Sequence, residues 1–331
     1  MILIKIATLS ICKNEIDFLP NFLEHNKNAD YICILDTGST DGTWEYLQEQ
    51  AQLNPKIIIE QKIFEHFKFD ETRNYSLHLL PEDVTAFARL DLDEHFYQEN
   101  WVEILKQKVI LDNKKHVYKC RYLDKPLYTF LDSKIIFEAP LIYTKGYNWC
   151  WPVHETFIDD SWTSTGVDGE DYCDVPELLI IHEPKESKNR NFYINLLWER
   201  YDTILPFKYD IEEEKRFTLE LLVIEYCRNH EYEQALEIYE RIKDNQFLRI
   251  LVTSWMYLMT NDVSFLRFSI ENMQFYDPTA IYFALRDDND WCKQHKNKIL
   301  QEINNHFNII PEEYKEFDIL NNLNKQLAEQ L

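Results

Sequence analysis

The chain has 331 residues, of which 45% are hydrophobic, and its formal net charge is −23. So acidic a protein repels nucleic-acid phosphates and anionic lipid surfaces, which argues against both as partners. Its seven cysteines have irregular spacing and no C-x-x-C pair. This pattern argues against a disulfide framework and against a zinc cluster, and it is compatible with free thiols. The length is enough for two domains of ordinary size.

The start of the chain, MILIKIATLSIC, is apolar but lacks the basic first part and the long apolar core of a signal peptide. No stretch of the sequence approaches the length and apolar character of a membrane span. Free thiols suit a reducing compartment. The sequence therefore predicts a soluble cytoplasmic protein.

Strand and helix patterns alternate through the first half of the chain. The strand patterns are ILIKIATLSI, YICILD, KIIIEQKI and VTAFARLDLD, and the helix patterns between them are EIDFLPNFLEHN, TWEYLQEQAQL and DETRNYSLHLL. This alternation predicts an α/β fold with a mostly parallel sheet and helices on both faces. Ligands of such sheets bind beyond the carboxyl ends of the strands.

The second half of the chain has a different composition. All five glycines precede residue 170, and the later apolar residues recur at three- and four-residue steps, as in helices. We place the boundary in HEPKESKNRN, which predicts a ligand-binding domain at 1–188 and an all-α domain at 189–331. YCRNHEYEQALEIYERI resembles half of a tetratricopeptide-like hairpin, although an ordinary helical bundle explains it equally well.

The motif ILDTGSTDGTWEYL ends the second strand at Asp36. Gly38 and Gly42 permit a tight turn, and the hydroxyl and acidic side chains can cap the next helix. The motif is either a capped strand–turn–helix or part of a nucleotide pocket, in which Asp36 would accept hydrogen bonds from a ribose or a base. The turn lacks GxGxxG and GxxxxGK[ST], which disfavours a hydride-transfer enzyme and an ATPase.

A second acidic motif, RLDLDEH, stands at the end of the fourth strand. Residues two apart on a strand point the same way, so Asp91 and Asp93 could present oxygens to one divalent cation such as Mg²⁺ or Mn²⁺. A diphosphate leaving group needs charge compensation of this kind. The alternative is a solvated acidic loop.

Basic and aromatic side chains accompany these acids. Arg73, in FKFDETRNYSL, is either a phosphate ligand near a helix start or a surface ion-pair partner. His182 becomes a third metal ligand only if its strand end returns to the two aspartates. In YNWCWPVHETF, the tryptophans either stack on a sugar or belong to the core, and Glu155 is either a general base or structural.

In this order, LSICKNEIDFLPNFL, YICILDTGSTDGT, DETRN, RLDLDEHF, VHE and IHEP resemble a family 2 glycosyltransferase with the GT-A fold, over roughly residues 1–200. The resemblance implies a metal-dependent inverting enzyme that moves a sugar from a nucleotide sugar, with a UDP-linked donor expected, to a hydroxyl group. It also implies a glycan, lipid-linked or peptide acceptor, as in bacterial surface-glycan biosynthesis. A helical, sometimes tetratricopeptide-like tail also occurs among such enzymes.

The resemblance further implies roles for individual residues. The positions matched to nucleotide binding are Ser10, Asn14, Glu15, Asp36, Arg73 and Asp91. The D-x-D pair, Asp91 and Asp93, would hold Mn²⁺ or Mg²⁺ against the diphosphate, with His182 as a further ligand. Glu155 would activate the acceptor. Some relatives place this base in an E-D pair that is absent here, which leaves Asp159 and Asp160 as alternatives.

Other functions stay open at this point. The alternative from another class is a non-catalytic scaffold with a degenerate nucleotide-sugar-binding domain. A nucleotidyltransferase is disfavoured because ATLSICKNE contains no glycine, where such enzymes carry a glycine-rich activation loop. The helical domain could bind the acceptor, form a homodimer or cover the sheet.

Overall fold

The computed structural model describes residues 3–111, 115–124, 135–154, 156–159, 172–184, 191–203 and 211–243, with eight more residues between 252 and 265. Within them the strands are β1 (Ile6–Cys12), β2 (Tyr31–Asp36), β3 (Ile57–Gln61), β4 (Ala86–Arg89), β5 (Glu94–Phe96), β6 (Val117–Asp124), β7 (Ile135–Thr144), β8 (Tyr147–Cys150), β9 (Thr156–Asp159) and β10 (Tyr172–His182). The helices are α1 (Leu19–His25), α2 (Thr43–Leu53), α3 (Phe69–Ser76), α4 (Trp101–Lys108), α5 (Asn191–Asp202), α6 (Ile211–Arg228) and α7 (Tyr232–Ile242).

These elements divide into two compact units, and the first contains all the strands with α1 to α4. Its main sheet has eight strands in the order β3-β2-β1-β4-β7-β6-β10-β5. The pairs β1–β2, β2–β3, β1–β4 and β6–β10 are parallel, whereas β4–β7 and β5–β10 are antiparallel. The predicted mostly parallel α/β sheet is therefore confirmed, with a mixed rather than uniform strand direction.

The sheet is packed on both faces, as the alternation predicts. Side chains along β1 alternate between two cores because successive residues of a strand point to opposite faces. Ile6 belongs to the core that contains Phe22 of α1 and Trp101 of α4. Leu9 belongs to the other core, with Trp149 of β8. Burial on both faces accounts for the continuous apolar runs in β1 and β2.

The fourth strand is shorter than its sequence pattern suggests, and this changes the interpretation of the acidic motif. The strand β4 ends at Arg89, and Asp91 and Asp93 lie in the turn that leads to β5. The backbone N–H of Glu94 donates to the carbonyl of Asp91 at 3.0 Å and closes this turn. The expectation that the two aspartates share a strand face is therefore wrong, because both lie in the turn between β4 and β5 and neither belongs to a strand.

The second unit contains α5, α6 and α7. The last two form a helix pair joined by residues 229–231, and Ala235 is completely buried, as expected for a small residue at a close helix contact. Ion pairs join Arg200 to Glu214 at 3.1 Å and Arg228 to Glu225 at 2.8 Å. The division at 188/189 and a tetratricopeptide-like repeat both stay predictions. In the part of the chain that the structure describes, no helix has the length and hydropathy of a membrane span.

Candidate functional site

The carboxylate of Asp36 organises the turn that follows β2. Its Oδ1 accepts hydrogen bonds from the backbone N–H of Gly38 at 2.9 Å, from that of Ser39 at 3.0 Å and from Nε2 of Gln61 at 2.9 Å. Its Oδ2 accepts the hydroxyl of Ser39 and the thiol of Cys12. Asp36 is completely buried, so its charge is balanced by these donors instead of by water.

The thiol of Cys12 stays protonated beside this carboxylate. Burial raises the pKa of Cys12, and the negative charge of Asp36 raises it further. A protonated thiol can donate to Asp36 Oδ2, from which its sulfur lies 3.7 Å away. The pair therefore has a structural explanation and does not indicate a nucleophilic cysteine.

The loop after β1 is bonded to the same turn. Asn14, with a left-handed φ of 57°, donates its backbone N–H to the Ser39 hydroxyl and accepts the N–H of Thr40 at its side-chain oxygen, each at 2.8 Å. The backbone N–H of Glu15 donates to the hydroxyl of Thr43 at 2.9 Å. The structure thus brings Asn14 and Glu15 together with the Asp36 turn, at the carboxyl ends of β1 and β2.

Ser10 does not join this group through a hydrogen bond. It lies on β1 beside Ile34 of β2 and is 1% exposed. Its hydroxyl has no hydrogen-bond partner among the described residues. We have no physical account of this unsatisfied hydroxyl, and a nucleotide-binding role for Ser10 stays a prediction from the sequence.

A second polar cluster surrounds Asp91, at the carboxyl end of β4. Nη2 of Arg73 lies 3.1 Å from Asp91 Oδ1, and Nη1 of Arg89 lies 3.7 Å from Oδ2. Arg73 is 4% exposed, whereas 40% of the Asp91 side chain is accessible to solvent. Both oxygens of Asp91 therefore face arginines, while part of the side chain remains exposed to solvent.

The charges of this cluster determine the ionisation of Asp91. Packing by surrounding protein atoms opposes its ionisation, but the positive charges of Arg73 and Arg89 outweigh that effect. Together they hold the pKa of Asp91 well below its usual range. Asp91 is therefore a carboxylate at any pH at which the protein would work.

Glu94 is the buried partner of Asp91 in this cluster. Its Oε2 accepts the backbone N–H of Asp91 at 2.9 Å, and its Oε1 accepts the hydroxyl of Tyr122 at 2.6 Å. Burial raises the pKa of Glu94, and repulsion from Asp91 raises it further. Glu94 is 4% exposed, which makes it part of the framework of the turn.

Asp93 and His182 meet on the other side of the turn. His182 ends β10, where it lies opposite Glu94 in the antiparallel register of β5 and β10. Its Nε2 is 3.5 Å from Asp93 Oδ2, and both side chains keep partial exposure, 22% and 12% respectively. The strand end of His182 thus returns to the acidic turn, which was the condition for its participation in a metal site.

The described residues contain no group of three or more His, Cys, Asp or Glu side chains with the arrangement of a metal site. Asp93 and His182 form a pair, and the oxygens of Asp91 face arginines. A cation here would therefore depend on donors from a ligand or from water to complete its coordination.

The R-N pair of α3 connects this cluster to β8. Arg73 reaches Asp91, whereas the side chain of Asn74 forms two hydrogen bonds of 2.7 Å with the backbone N–H and C=O of Trp149. The backbone N–H of Phe69 also donates to the carbonyl of Pro152 at 2.9 Å. These bonds fix the segment that leads to the VHE motif.

The tryptophans of this segment are structural. Trp149 and Trp151 are 4% and 6% exposed, and Trp149 packs against Phe87 and Tyr143 in the core. The alternative in which their faces stack on a sugar is therefore wrong for Trp149. Glu155 lies outside the described residues, as do Asp160 and the side chain of Asp159.

Three residues of the acidic cluster were missed from the sequence: Arg89, Glu94 and Tyr122. Arg89 and Glu94 flank the D-x-D motif, so their proximity to Asp91 is a signal that could have been used. Tyr122 has no local signal, because it reaches Glu94 only through the strand order β6-β10-β5.

Solved structures similar to this chain have low identity and low TM-scores. Staphylococcus aureus TarS is 11% identical with a TM-score of 0.39, over 81% of this chain and 55% of that chain. TarS 1–349 in complex with UDP is 11% identical with a TM-score of 0.31, over 99% and 92% of the two chains. The chain thus spans about half the length of the first TarS structure.

A further similar structure is the mannosyltransferase PcManGT from Pyrobaculum calidifontis, in complex with GDP-Man and Mn²⁺. It is 11% identical with a TM-score of 0.41, over 92% of this chain and 88% of that chain. No curated protein matches the sequence. At TM-scores below 0.5 these likenesses carry no weight for function.

The family comparison is more specific. Residues 9–162 match the model of the family described as "Glycosyl transferase family 2". The matched region begins in β1 and includes the Asp36 turn, Arg73 and the acidic turn with Asp91 and Asp93. Residues 9–162 are therefore similar to family 2 glycosyltransferases, and the sheet to which they contribute has a GT-A-like α/β arrangement.

Proposed function

We propose that this protein is a metal-dependent inverting glycosyltransferase that transfers a sugar from a nucleotide sugar to a hydroxyl acceptor. The expected donor is a UDP-linked sugar. The observation that carries the proposal is the position of the acidic turn: inside the family 2 match, at the carboxyl end of β4, with arginines on one side and His182 on the other. Ligands of open α/β sheets bind at this edge. The sequence resemblance supports transfer within a surface-glycan or peptide-glycosylation pathway, whereas the proposed cytoplasmic location rests on the thiols, which suit a reducing compartment.

The roles of the nucleotide-binding residues follow from chemistry. Arg73 and Arg89 supply guanidinium groups, which suit diphosphate oxygens. Their present partner, Asp91, keeps their positive charge compensated before a ligand arrives. Asn14, Glu15 and the Asp36 turn would surround the nucleoside, with Asp36 acting chiefly through the backbone amides that it orders.

The donor set fits a divalent cation that is held partly by substrate. Asp93 and His182 offer one oxygen and one nitrogen in contact with each other, and both remain accessible. Mg²⁺ and Mn²⁺ commonly take one or two protein ligands and complete their shell with water and phosphate oxygens. When bound, such an ion compensates the charge of a departing diphosphate. Asp91, whose oxygens face arginines, would instead orient those side chains.

We assign the role of general base to Glu155, the residue inferred from the VHE motif. Glu155 would accept a proton from the acceptor hydroxyl as that oxygen attacks the anomeric carbon from the face opposite the diphosphate. The C–O bond to the acceptor forms, the bond to the diphosphate breaks, and the anomeric configuration inverts. The expectation of inversion comes from the family resemblance.

A donor screen tests the whole proposal. The full chain is incubated with UDP-, GDP- and CMP-sugars, with Mn²⁺ or with a chelator, and release of the nucleotide is measured. We expect release with one nucleotide class, an increase when a suitable acceptor is present, and loss of release with the chelator. No release with any donor class and acceptor would refute glycosyl transfer. Binding of a nucleotide without release would favour the non-catalytic scaffold.

Two substitutions test the residue roles in that assay. Asp93→Ala should lower transfer by at least about 100-fold, because removing one charged interaction with a transition state typically has an effect of this size. Glu155→Gln should lower transfer by roughly 100-fold to 10,000-fold if Glu155 is the base. Full transfer by either variant would remove the corresponding role.

Asp83→Ala is the matched control for Asp93→Ala. Asp83 is an exposed acid whose side chain accepts the hydroxyl of Tyr31 at 3.0 Å. It precedes β4, whereas Asp93 follows that strand, so the two acids lie at opposite ends of it. The control should keep its transfer rate, and equal losses in both variants would indicate a general effect of surface charge.

A further inference from the structure

We infer that Glu94 and Tyr122 are positioning residues, which together brace the turn that presents Asp91 and Asp93 to a ligand. What the turn binds rests on the proposed function, but the brace itself does not. We assign neither residue a contact with the substrate, because Glu94 and Tyr122 are buried, at 4% and 8% exposed, and both oxygens of Glu94 are bonded to the Asp91 amide and the Tyr122 hydroxyl.

The first observation is that Glu94 is bonded through both ends of its carboxyl group. Oε2 accepts the backbone N–H of Asp91 at 2.9 Å, and the backbone N–H of Glu94 donates to the Asp91 carbonyl at 3.0 Å. These two bonds close the turn across residues 91–94. Oε1 accepts the hydroxyl of Tyr122 at 2.6 Å, which joins the turn to β6.

The second observation is that the same brace reaches the His182 side. The ring centroids of Tyr122 and His182 are 5.9 Å apart, and His182 contacts Asp93. The backbone N–H of Glu183 donates to the carbonyl of Asp93 at 2.8 Å. Tyr122 therefore lies between the two halves of the acidic cluster, beside both Glu94 and His182.

The turn needs such a brace for a physical reason. Asp91 and Asp93 are like charges two residues apart, and repulsion between them favours separation. The intervening backbone lies outside the sheet ladder, so its shape depends on local hydrogen bonds. A site whose residues are held near their working geometry binds more tightly than one that must be ordered by the ligand.

The test uses four variants of the full chain. Glu94→Ala removes both side-chain bonds, Glu94→Gln keeps an oxygen for the Asp91 amide, and Tyr122→Phe removes one hydroxyl. Tyr118→Phe is the matched control: Tyr118 is a fully buried tyrosine on the same strand, and its oxygen accepts the backbone N–H of Ile110 at 3.0 Å. It loses one buried hydrogen bond away from the acidic turn.

Two measurements distinguish an effect on the turn itself from an effect on ligand binding. Amide hydrogen exchange of a peptide covering residues 88–96 reports on the turn itself, with no ligand present. The affinity for UDP with Mn²⁺, measured by calorimetry, reports on the proposed site. We expect Glu94→Ala to accelerate exchange in this peptide and to weaken binding about tenfold, the size of one or two lost hydrogen bonds to a charged group.

The conservative variants should give graded results. Tyr122→Phe should accelerate exchange and weaken binding about threefold, whereas Glu94→Gln should stay close to the wild type in both readouts. Tyr118→Phe should change neither, although its melting temperature should fall. Wild-type exchange and binding in Glu94→Gln would mean that Glu94 acts by positioning the turn. A loss as large as in Glu94→Ala would mean that its negative charge is required.

The outcomes that overturn the inference are distinct from those that overturn the proposed function. Unchanged exchange in Glu94→Ala would overturn the brace, as would equal effects of Tyr118→Phe and Tyr122→Phe. If Glu94→Ala does not fold, Tyr122→Phe decides. If the wild-type protein binds none of UDP, GDP and CMP with Mn²⁺, the proposed function fails, while the exchange data still decide the brace.

Discussion

Asp36 and Asp91 have the same sequence signature, an acid after an apolar strand, but the structure uses them differently. Asp36 is completely buried and is satisfied by amide, hydroxyl and thiol donors. Asp91 keeps 40% of its side chain exposed and faces two arginines. The donors around Asp36 are neutral and fix a backbone turn, whereas those around Asp91 are positively charged side chains, of which Arg89 is 18% exposed. We therefore expect the first acid mainly to build the sheet edge, and we propose that the second mainly orients arginines toward a ligand.

The largest expected effect is on stability, at Asp36. Asp36→Ala leaves the N–H groups of the half-buried Gly38 and Ser39 and the buried thiol of Cys12 without their acceptor, while the exposed amide of Gln61 can bond to water. Each unsatisfied buried donor costs roughly 1–3 kcal/mol, so the free energy of unfolding should fall by about 4 kcal/mol. Urea denaturation at neutral pH measures this loss.

Asp41 provides the control within the same turn. It is an exposed acid that accepts the backbone N–H of Thr43 at 3.0 Å and that of Ile16 at 3.3 Å. Its replacement by alanine should reduce the free energy of unfolding by about 1 kcal/mol, as for a typical capping residue. Equal losses for the two aspartates would contradict the structural role assigned to Asp36.

The glycines of this turn should give the next largest effect. Gly38 has a φ of 103° and Gly42 a φ of 97°, where a side chain is strained. A Cβ on Gly38 would also lie 3.1 Å from Cγ1 of Ile63, whereas one on Gly42 would meet nothing within 4 Å. We therefore expect Gly38→Ala to reduce the free energy of unfolding by about 2–3 kcal/mol and Gly42→Ala by about 1–2 kcal/mol.

The difference between the two glycines can be tested directly. Adding Ile63→Ala to Gly38→Ala should recover part of the lost stability, since Ile63 supplies the crowded atom. The same addition to Gly42→Ala should recover none. Urea denaturation of the four proteins against Ile63→Ala alone gives the coupling. If Ile63→Ala helps both glycine variants equally, the crowding explanation fails.

Asp91 should contribute less to stability than Asp36. Removing it leaves Arg73, which is 4% exposed, with an uncompensated charge, but solvent reaches the exposed part of the Asp91 position. We expect Asp91→Ala to reduce the free energy of unfolding by about 1–2 kcal/mol, after allowance for solvent screening. The same variant should lose more free energy of nucleotide binding than free energy of unfolding.

A double-mutant cycle with Arg73→Met sharpens this prediction. The double variant should be more stable than the sum of the single losses predicts, by about 1 kcal/mol, because each single variant already loses the contact between Arg73 and Asp91, which can be lost only once. Additive losses would mean that the 3.1 Å contact between Arg73 and Asp91 contributes little. A loss for Asp91→Ala as large as that for Asp36→Ala would make both acids structural.

The sequence predicts this molecule best where its signals are local. Continuous apolar runs locate β1 and β2, and helical periodicity locates the helices that follow them, because burial and periodicity act over neighbouring residues. The insertion of β7 between β4 and β6 is decided by pairing between distant segments, and no local pattern encodes it. The turn after β4 also includes a distant contact, since the hydroxyl of Tyr122 donates to Glu94, 28 residues away in the sequence.

The candidate site divides in the same way. Four residues of the site stand in recognisable motifs, and the structure brings them together around the turn between β4 and β5: Arg73, Asp91, Asp93 and His182. Whether they bind a nucleotide and a metal stays a prediction. The division of labour between Asp36 and Asp91 could not be predicted from the sequence, because it depends on how many donors surround each carboxylate and on which of them are charged.

The smallest expected effect comes from a third carboxylate, Glu60 on β3, which is paired with His78 at 2.6 Å near the protein surface. Partial burial disfavours the charged ring of His78, but the Tyr75 carbonyl and Glu60 outweigh it and raise the pKa of His78. Hydrogen bonds from Tyr75 and His78 lower the pKa of Glu60.

The pH dependence follows from these two directions. The contribution of His78 is complete below its unfolded pKa of about 6.5 and is lost as pH rises through the raised folded value. That of Glu60 is present above about 4.5 and is lost as pH falls through the lowered value. The pair should therefore stabilise the protein most between about pH 4.5 and 6.5, by roughly 0.5 kcal/mol, since exposed pairs contribute little. Comparing wild type with His78→Gln by urea denaturation at pH 5.5 and pH 8 measures it. A difference that grows at pH 8 would contradict the assigned sign, and one as large as the Asp36→Ala loss would remove the contrast between buried and exposed carboxylates.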